Sequence, residues 1–399
     1  MRRPWGCRKE QPTPTGQASE DSGLPVTRGK PPEQNVKGTP PTGLAPTTPK
    51  TDPELQPKPS DGSITKPKSS AREIKGVADK ELFTLSTDDP VSGVAVSPDG
   101  TFVLAGSGKP GFHGQAQSWD ARTGKPLQKF TGHSGHVTCV DIAPDSKTVA
   151  TASWDGSVKW FDAQTGQCRA TWQLAPANVQ AVAFSHDGTR IAAGTSDFKL
   201  VLDPSASLQP GNVQIWSTNT QQPTFTLRGH DYFFNSLIFT STSLIGTDAK
   251  VLIQWNIVTG QEEKRFALET LGGIGFHCCL AGDEATLAIY VEKKKSVVLL
   301  DLKTEKVLWS IPAEQNYPNS PLVFAPDGRT LAIGDKNGVV HLWDVTAKKD
   351  ILTVKAHTEP VSGLAFSPNG ELMVTGAASA NIYASDNKGI VRIWKCHQE

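Results

Sequence analysis

The chain has 399 residues with 40 basic and 40 acidic side chains, so it lacks the net charge that grips nucleic acid or an anionic membrane. Hydrophobic residues make up only 37%, against 29 Pro and 36 Gly, which predicts that part of the chain does not pack. No run of about 18 apolar residues is present, which argues against a transmembrane helix, and the six cysteines show no CxxC pair or metal-ligand spacing and read as buried thiols.

Residues 1–75 hold 14 of the 29 prolines, one aromatic residue (Trp5), and 13 basic against 8 acidic side chains. Such a segment buries too little apolar surface to offset its chain entropy, so it is expected to be a disordered, Pro-rich tether. Arg2 and Arg3 are followed by no apolar stretch, so they do not begin a secretory signal. Gly6-Cys7 before a polar, Pro-rich run does look like the mature start of a bacterial lipoprotein, which leaves envelope anchoring as an alternative to a cytoplasmic location if the start codon is mis-assigned.

Beyond the tether, Glu81-Leu82-Phe83-Thr84-Leu85 has the alternation of a strand. A turn phrase then recurs: Ser97-Pro98-Asp99-Gly100, Ala143-Pro144-Asp145, Ser185-His186-Asp187-Gly188, Ala281-Gly282-Asp283, Ala325-Pro326-Asp327-Gly328 and Ser367-Pro368-Asn369-Gly370. Neighbouring copies are 42 to 46 residues apart, except for one double gap of 96 in which the turn at Thr240-Ser241-Thr242-Ser243 is eroded. Pro sets φ and Asp-Gly accepts the corner, so each copy is a hairpin turn. A second phrase is Gly followed by alternating aliphatics and an aromatic, as in Gly338-Val339-Val340-His341-Leu342-Trp343. Its terminal positions are Trp119, Phe161, Trp216, Trp255, Leu300, Trp343 and Trp394, a total of seven.

A period of about 40–45 residues with four short strands per unit predicts a propeller blade, so the expected fold is all-β with seven blades over 80–399. Only five residues follow Trp394, too few for a last outer strand, and 81–85 is expected to supply it by pairing with blade seven. Gly132-His133, Gly229-His230 and Ala356-His357, together with Trp119-Asp120 and Trp343-Asp344, resemble the WD40 repeat family over about 80–399. That resemblance implies a non-catalytic scaffold for protein–protein interaction. It also implies a structural polar tetrad, of which only blade two is nearly complete: His133, Ser153 and Asp155, ending at Phe161 where the family has Trp.

Three periods carry extra residues, at Gly106–His113, Asp197–Pro210 and Ala378–Asn387, each between a second and a third strand. In a propeller these connections share one face, and insertions on one face mark a binding surface. Phe112, His113, Tyr232, Phe233 and Tyr317 are the expected partner-binding residues there. Phe234 stands beside them, and either of Phe233 and Phe234 is equally a core candidate.

Other motifs carry little chemistry. Ser185-His186-Asp187 has hydrolase residue types, but sits inside a turn copy, whereas a triad needs a base held in space between its partners. His277-Cys278-Cys279 aligns with an inner strand and has no further ligands around it. Asp88-Asp89 reads as a solvated loop, and Lys293-Lys294-Lys295 as a hairpin. The alternative of a propeller enzyme with a channel-mouth active site would need converging carboxylates or His, and the sequence shows no such cluster, so it predicts no enzyme, cofactor or metal. It predicts a monomeric propeller that binds a protein or peptide, with neither nucleic acid nor a membrane span involved.

Overall fold

The computed structural model describes residues 74–109, 111–174, 178–196, 211–231, 234–313, 321–377 and 388–398. Residues 1–73, including Cys7, lie outside the described residues, as do 197–210 and 378–387, which hold two of the three insertions. Among the described residues, 28 strands pair into seven four-stranded sheets, and a 3-10 turn at Leu268–Leu271 is the one helical element. The inner strands are Val91–Val96, Val137–Ile142, Asn178–Phe184, Phe234–Phe239, Gly275–Leu280, Leu322–Phe324 and Val361–Phe366. Each contacts the next and the seventh contacts the first, so they close a ring around a central channel. This is the seven-bladed β-propeller the repeat period predicts, and blades are numbered here from Val91.

Blade seven joins the two ends of the ring. Its third strand, Gly389–Gln398, pairs antiparallel with Ile74–Thr87, which forms the outer position of that sheet. Arg392 Nη1 also meets Glu81 Oε2 across this pair at 2.9 Å. Without Ile74–Thr87, one side of Gly389–Gln398 would be an open edge of unpaired backbone groups.

The core is not central. Seven apolar clusters lie between successive blades. The seven terminal positions of the repeated phrase explain this. Trp119 packs in the layer shared with blade seven, Phe161 in that with blade one, Trp216 with blade two and Trp255 with blade three. Leu300, Trp343 and Trp394 continue the series toward blades four, five and six. Side chains alternate along a strand, so one parity of each third strand faces the preceding blade and the other faces the following one.

Both families of turn are held by a side-chain carboxylate or amide. Asp99 Oδ1 accepts the Thr101 N–H and the Ser97 hydroxyl, and Asp187 repeats this with Thr189 and Ser185. The residue after it takes a left-handed φ, +71° at Gly100, and the worn copies hold +58° at Ser146 and +55° at Glu284. After the third strand, Asp120 Oδ1 accepts the N–H groups of Arg122 and Thr123. Asn256, Asp301 and Asp344 do the same in their blades. In these blades the acid or amide after the terminal residue of the third strand is therefore a turn cap. Ser185 donates directly to Asp187, and His186 points instead toward Glu284 (3.9 Å), so the three do not form a relay.

Each inner strand is an exposed edge toward the channel. In blades one, two and four a bulge near the start of that strand places one polar residue where it reaches the next blade. Ser92 Oγ donates to the Val137 carbonyl (2.6 Å), Thr138 Oγ1 to that of Val179 (2.8 Å) and Asn235 Nδ2 to that of Gly275 (3.3 Å). These bonds stitch neighbouring blades along the wall of the channel.

Candidate interaction face and polar tetrads

The connections after the second strands and those entering the inner strands emerge on one face. Its described part centres on blades one and two. The loop following Phe102–Ser107 runs against the segment that enters Val137–Ile142. A Cβ at Gly114 would lie 2.5 Å from both the Gly135 carbonyl oxygen and the Val137 amide nitrogen, so only glycine permits this approach. Gly108 N–H donates to the Pro90 carbonyl, and Phe112 N–H to that of Lys109. His113 Nδ1 lies 3.3 Å from the His133 carbonyl oxygen. The loop is thus fastened at its base while its tip projects: Phe112 is 63% exposed and His113 is exposed beside it.

Charge surrounds this tip. Asp88 Oδ2 accepts hydrogen bonds from Lys129 Nζ and Gln115 Nε2, each at 2.8 Å. Those two donors hold its carboxyl below the usual range. Lys109 Nζ stands 3.4 Å from Asp89. Farther toward the channel, the Trp154 ring lies 5.0 Å from His136, and its Nε1 reaches Gln180 of blade three at 3.5 Å. Burial pushes His136 below its ordinary pKa, so the ring is neutral. Trp154 and His136 escaped the sequence reading. The signal was present, because Trp154 is a large aromatic at a hairpin corner between Ser153 and Asp155. Tyr232, Phe233 and Tyr317 lie outside the described residues; Phe234 is buried and belongs to the core.

Beneath this face sits the polar network of blade two. His133 Nδ1 meets Asp155 Oδ2 at 2.9 Å, and its Nε2 meets the Thr151 hydroxyl at 2.7 Å. The hydroxyl of the tetrad is therefore Thr151 and not Ser153, whose Oγ accepts the Asp155 N–H instead. The two residues are one pleat apart on the same face of Thr148–Ser153, and the register selects between them. Burial alone would raise the Asp155 carboxyl, but hydrogen bonds from His133 and Ser157 outweigh it and hold the group well below the usual range. Phe161 closes the set as a ring packed edge-on against Phe130 (5.5 Å), with no hydrogen bond to give.

Blade two is not alone, which corrects the expectation from sequence. In blade seven the Thr375 hydroxyl meets His357 Nε2 at 2.7 Å and accepts Trp394 Nε1 at 3.1 Å. Blade four has His230 with Nδ1 3.2 Å from Asp248 Oδ2, and its ring stands edge-on to Trp255. Gly246 occupies the hydroxyl position there, and His230 Nε2 has no hydrogen-bond partner among the described residues. Blade two lacks the indole and blade four the hydroxyl, so their loops are held by different mixtures of polar bonds and packing.

Among the described residues no group of three His, Cys, Asp or Glu side chains is placed to hold a metal ion. Cys278 and Cys279 fill inner-strand positions, and burial raises both thiols, Cys278 to about 11. No helix among the described residues is long and apolar enough to cross a membrane.

A ring of seven antiparallel blades, with side-chain-capped turns recurring at the same place in most of them, defines the repeat class of β-propellers. The family model described as WD domain, G-beta repeat, matches residues 79–120, 124–162, 166–202 and 348–395. The anaphase-promoting complex subunit 4 WD40 domain model matches 282–361. The chain belongs to the WD40-repeat family and is a propeller scaffold for protein–protein interaction. It is 23% identical to eukaryotic translation initiation factor 3 subunit I of Pyricularia oryzae over 282 residues, covering 65% of this chain and 79% of the relative. The subunit of the same name from Scheffersomyces stipitis is 26% identical, with 64% and 79% covered. Periodic tryptophan protein 2 of Arabidopsis thaliana is 24% identical over 67% of this chain, which spans about a quarter (24%) of that relative.

Proposed function

We propose that the propeller is a non-catalytic scaffold that recruits a protein or peptide partner through the face bearing Phe112, His113 and Trp154, working as a monomer in the cytoplasm. The observation that carries this is Phe112. A phenyl ring 63% exposed at the tip of a loop anchored by Gly114 is a preformed apolar contact, so little ordering entropy is lost when a partner covers it. The ion pairs around Asp88 and Asp89 give it a polar rim. Two relatives are named as subunits of a translation initiation factor, which fits a chain that acts inside a multi-protein assembly. No reaction is assigned, because the acidic residues of the repeat are engaged in capping turns.

The test is site-specific photocrosslinking in the native host, with benzoylphenylalanine at position 112 or at Leu127, an exposed residue of an outer strand. Light-dependent adducts at 112 and none at 127 are expected. Adducts at 127 with none at 112 would move the binding surface to the rim of the disk.

A further inference from the structure

The opposite mouth of the channel holds a cavity of about 430 Å³ between blades one and four. Its floor is the last turn of the channel wall. The registers place Asp141 there in blade two, opposite Ala150. The equivalent wall positions in the other blades are Ala95, Ala183, Ile238, Cys279, Val323 and Ala365. A carboxylate thus replaces a small or apolar residue at one position of seven. It lines the cavity together with Ile142, Leu237 and Phe239.

Asp141 is held in place. Oδ1 accepts its neighbour Ile142 N–H (2.8 Å), and Oδ2 accepts the Phe184 N–H of blade three (2.7 Å). No Lys, Arg or His among the described residues pairs with it; His186, on the cavity rim, turns to Glu284. Burial pushes the carboxyl up to about 6 despite those two donors, because its ionised form would stand in apolar surroundings without a counter-charge among the described residues. Each oxygen retains a lone pair for a further donor. A volume of this size falls in the range of small-ligand sites, and a mainly apolar lining with a few polar groups, here Asp141, Ser185 and His186, is the usual composition of such sites.

We propose that this cavity binds an apolar amine, with an alkylammonium or guanidinium group seated on Asp141 and its hydrocarbon part against Ile142, Leu237 and Phe239. The same chemistry is carried by a free amine and by the side chain of a Lys or Arg on a partner, and the cavity faces away from the surface around Phe112. The ligand is a probe for a second site on the scaffold, independent of the first.

Titration calorimetry on the full chain uses hexylamine, hexan-1-ol and Nα-acetyl-lysine N-methylamide as probes. Hexylamine is expected to bind saturably, and hexan-1-ol at least about 10-fold more weakly, because only the amine meets the carboxylate. Asp141→Asn should weaken hexylamine by a similar factor. Asn keeps one acceptor for the two N–H donors, so this variant is checked by thermal unfolding. Ala183→Leu fills the cavity without touching the carboxylate and should abolish binding at unchanged stability, which decides the matter if the Asn variant does not fold. Competition by the lysine derivative assigns the side-chain source, and hexylamine binding without competition assigns a free amine; either upholds the site. Equal binding of hexanol and hexylamine, retention by a folded Asp141→Asn, or no saturable amine binding overturns it and leaves Asp141 as a cap for the Phe184 N–H.

Discussion

Replacing Thr375 by Val removes one hydroxyl from the middle of blade seven and keeps nearly the same volume. That hydroxyl is fully buried and serves two partners at once, His357 Nε2 and Trp394 Nε1. Both partners are 4% exposed, so water does not replace the lost bonds. A buried polar group left unpaired costs about 1–3 kcal/mol, so two predict a loss of about 2–6 kcal/mol. Native domains have only about 5–15 kcal/mol in total, which makes this a large fraction. With an m-value of about 3 kcal/mol/M, the midpoint in urea should fall by about 1 M with m unchanged. Thr375→Ser keeps the hydroxyl and loses a methyl group, so it should cost only about 1 kcal/mol. Urea unfolding followed by tryptophan fluorescence reads all three chains. If the Val variant unfolds within about 0.5 kcal/mol of the parent, the hydroxyl bridge contributes nothing and packing alone holds the blade.

Burial, reinforced by nearby Arg392, pushes His357 from its ordinary 6.5 down to about 4, so the unfolded chain takes up a proton that the folded one refuses as pH falls between those values. The parent should therefore lose about 3 kcal/mol more stability than His357→Gln between pH 7 and pH 4, measured by urea unfolding at each pH, and equal losses would remove His357 from the account. Gly246→Ala should destabilise by about 1–3 kcal/mol, because the new Cβ would sit 2.7 Å from the Trp255 ring and 3.0 Å from His230 Nε2. Gly93→Ala, whose Cβ meets nothing within 4 Å, is the matched control and should leave the melting temperature unchanged. A chain beginning at Asp88 lacks the outer strand of blade seven and should aggregate or melt well below one beginning at Ile74; matching melting curves from scanning calorimetry would show that blade seven is stable with three strands.

Much of the architecture was legible because it rests on local chemistry. Pro-Asp-Gly and its relatives specify a corner by φ preference, and Ser146 and Glu284 show the backbone keeping that corner after Gly is lost. The seven terminal positions could be counted because a large side chain must recur wherever one blade meets the next. The tetrads were less legible. Thr151 and Ser153 share a face, and only the pairing of Val149 with Phe161 separates them. In blade four the hairpin is one residue shorter, so Asp248 stands nearer the strand than Asp155 does, and Gly246 hides a position that spacing alone would assign to a hydroxyl. Asp141 was invisible as a channel residue for a related reason. Its neighbours around the ring are forty or more residues away in sequence, and only the registers show that it stands alone among Ala, Ile, Val and Cys.

The closing pair in blade seven sets an order in time. Ile74–Thr87 is made first, and its partner Gly389–Gln398 leaves the ribosome more than three hundred residues later. At about 5–20 residues per second, the first strand waits roughly 15–60 s with Leu82, Phe83 and Leu85 on an unpaired ribbon. Every other sheet can zip as soon as its own four strands emerge. The ring therefore matures in two stages, six sheets as they are synthesised and the seventh only once Gly389–Gln398 has emerged, and during that interval the nascent chain depends most on holdase chaperones.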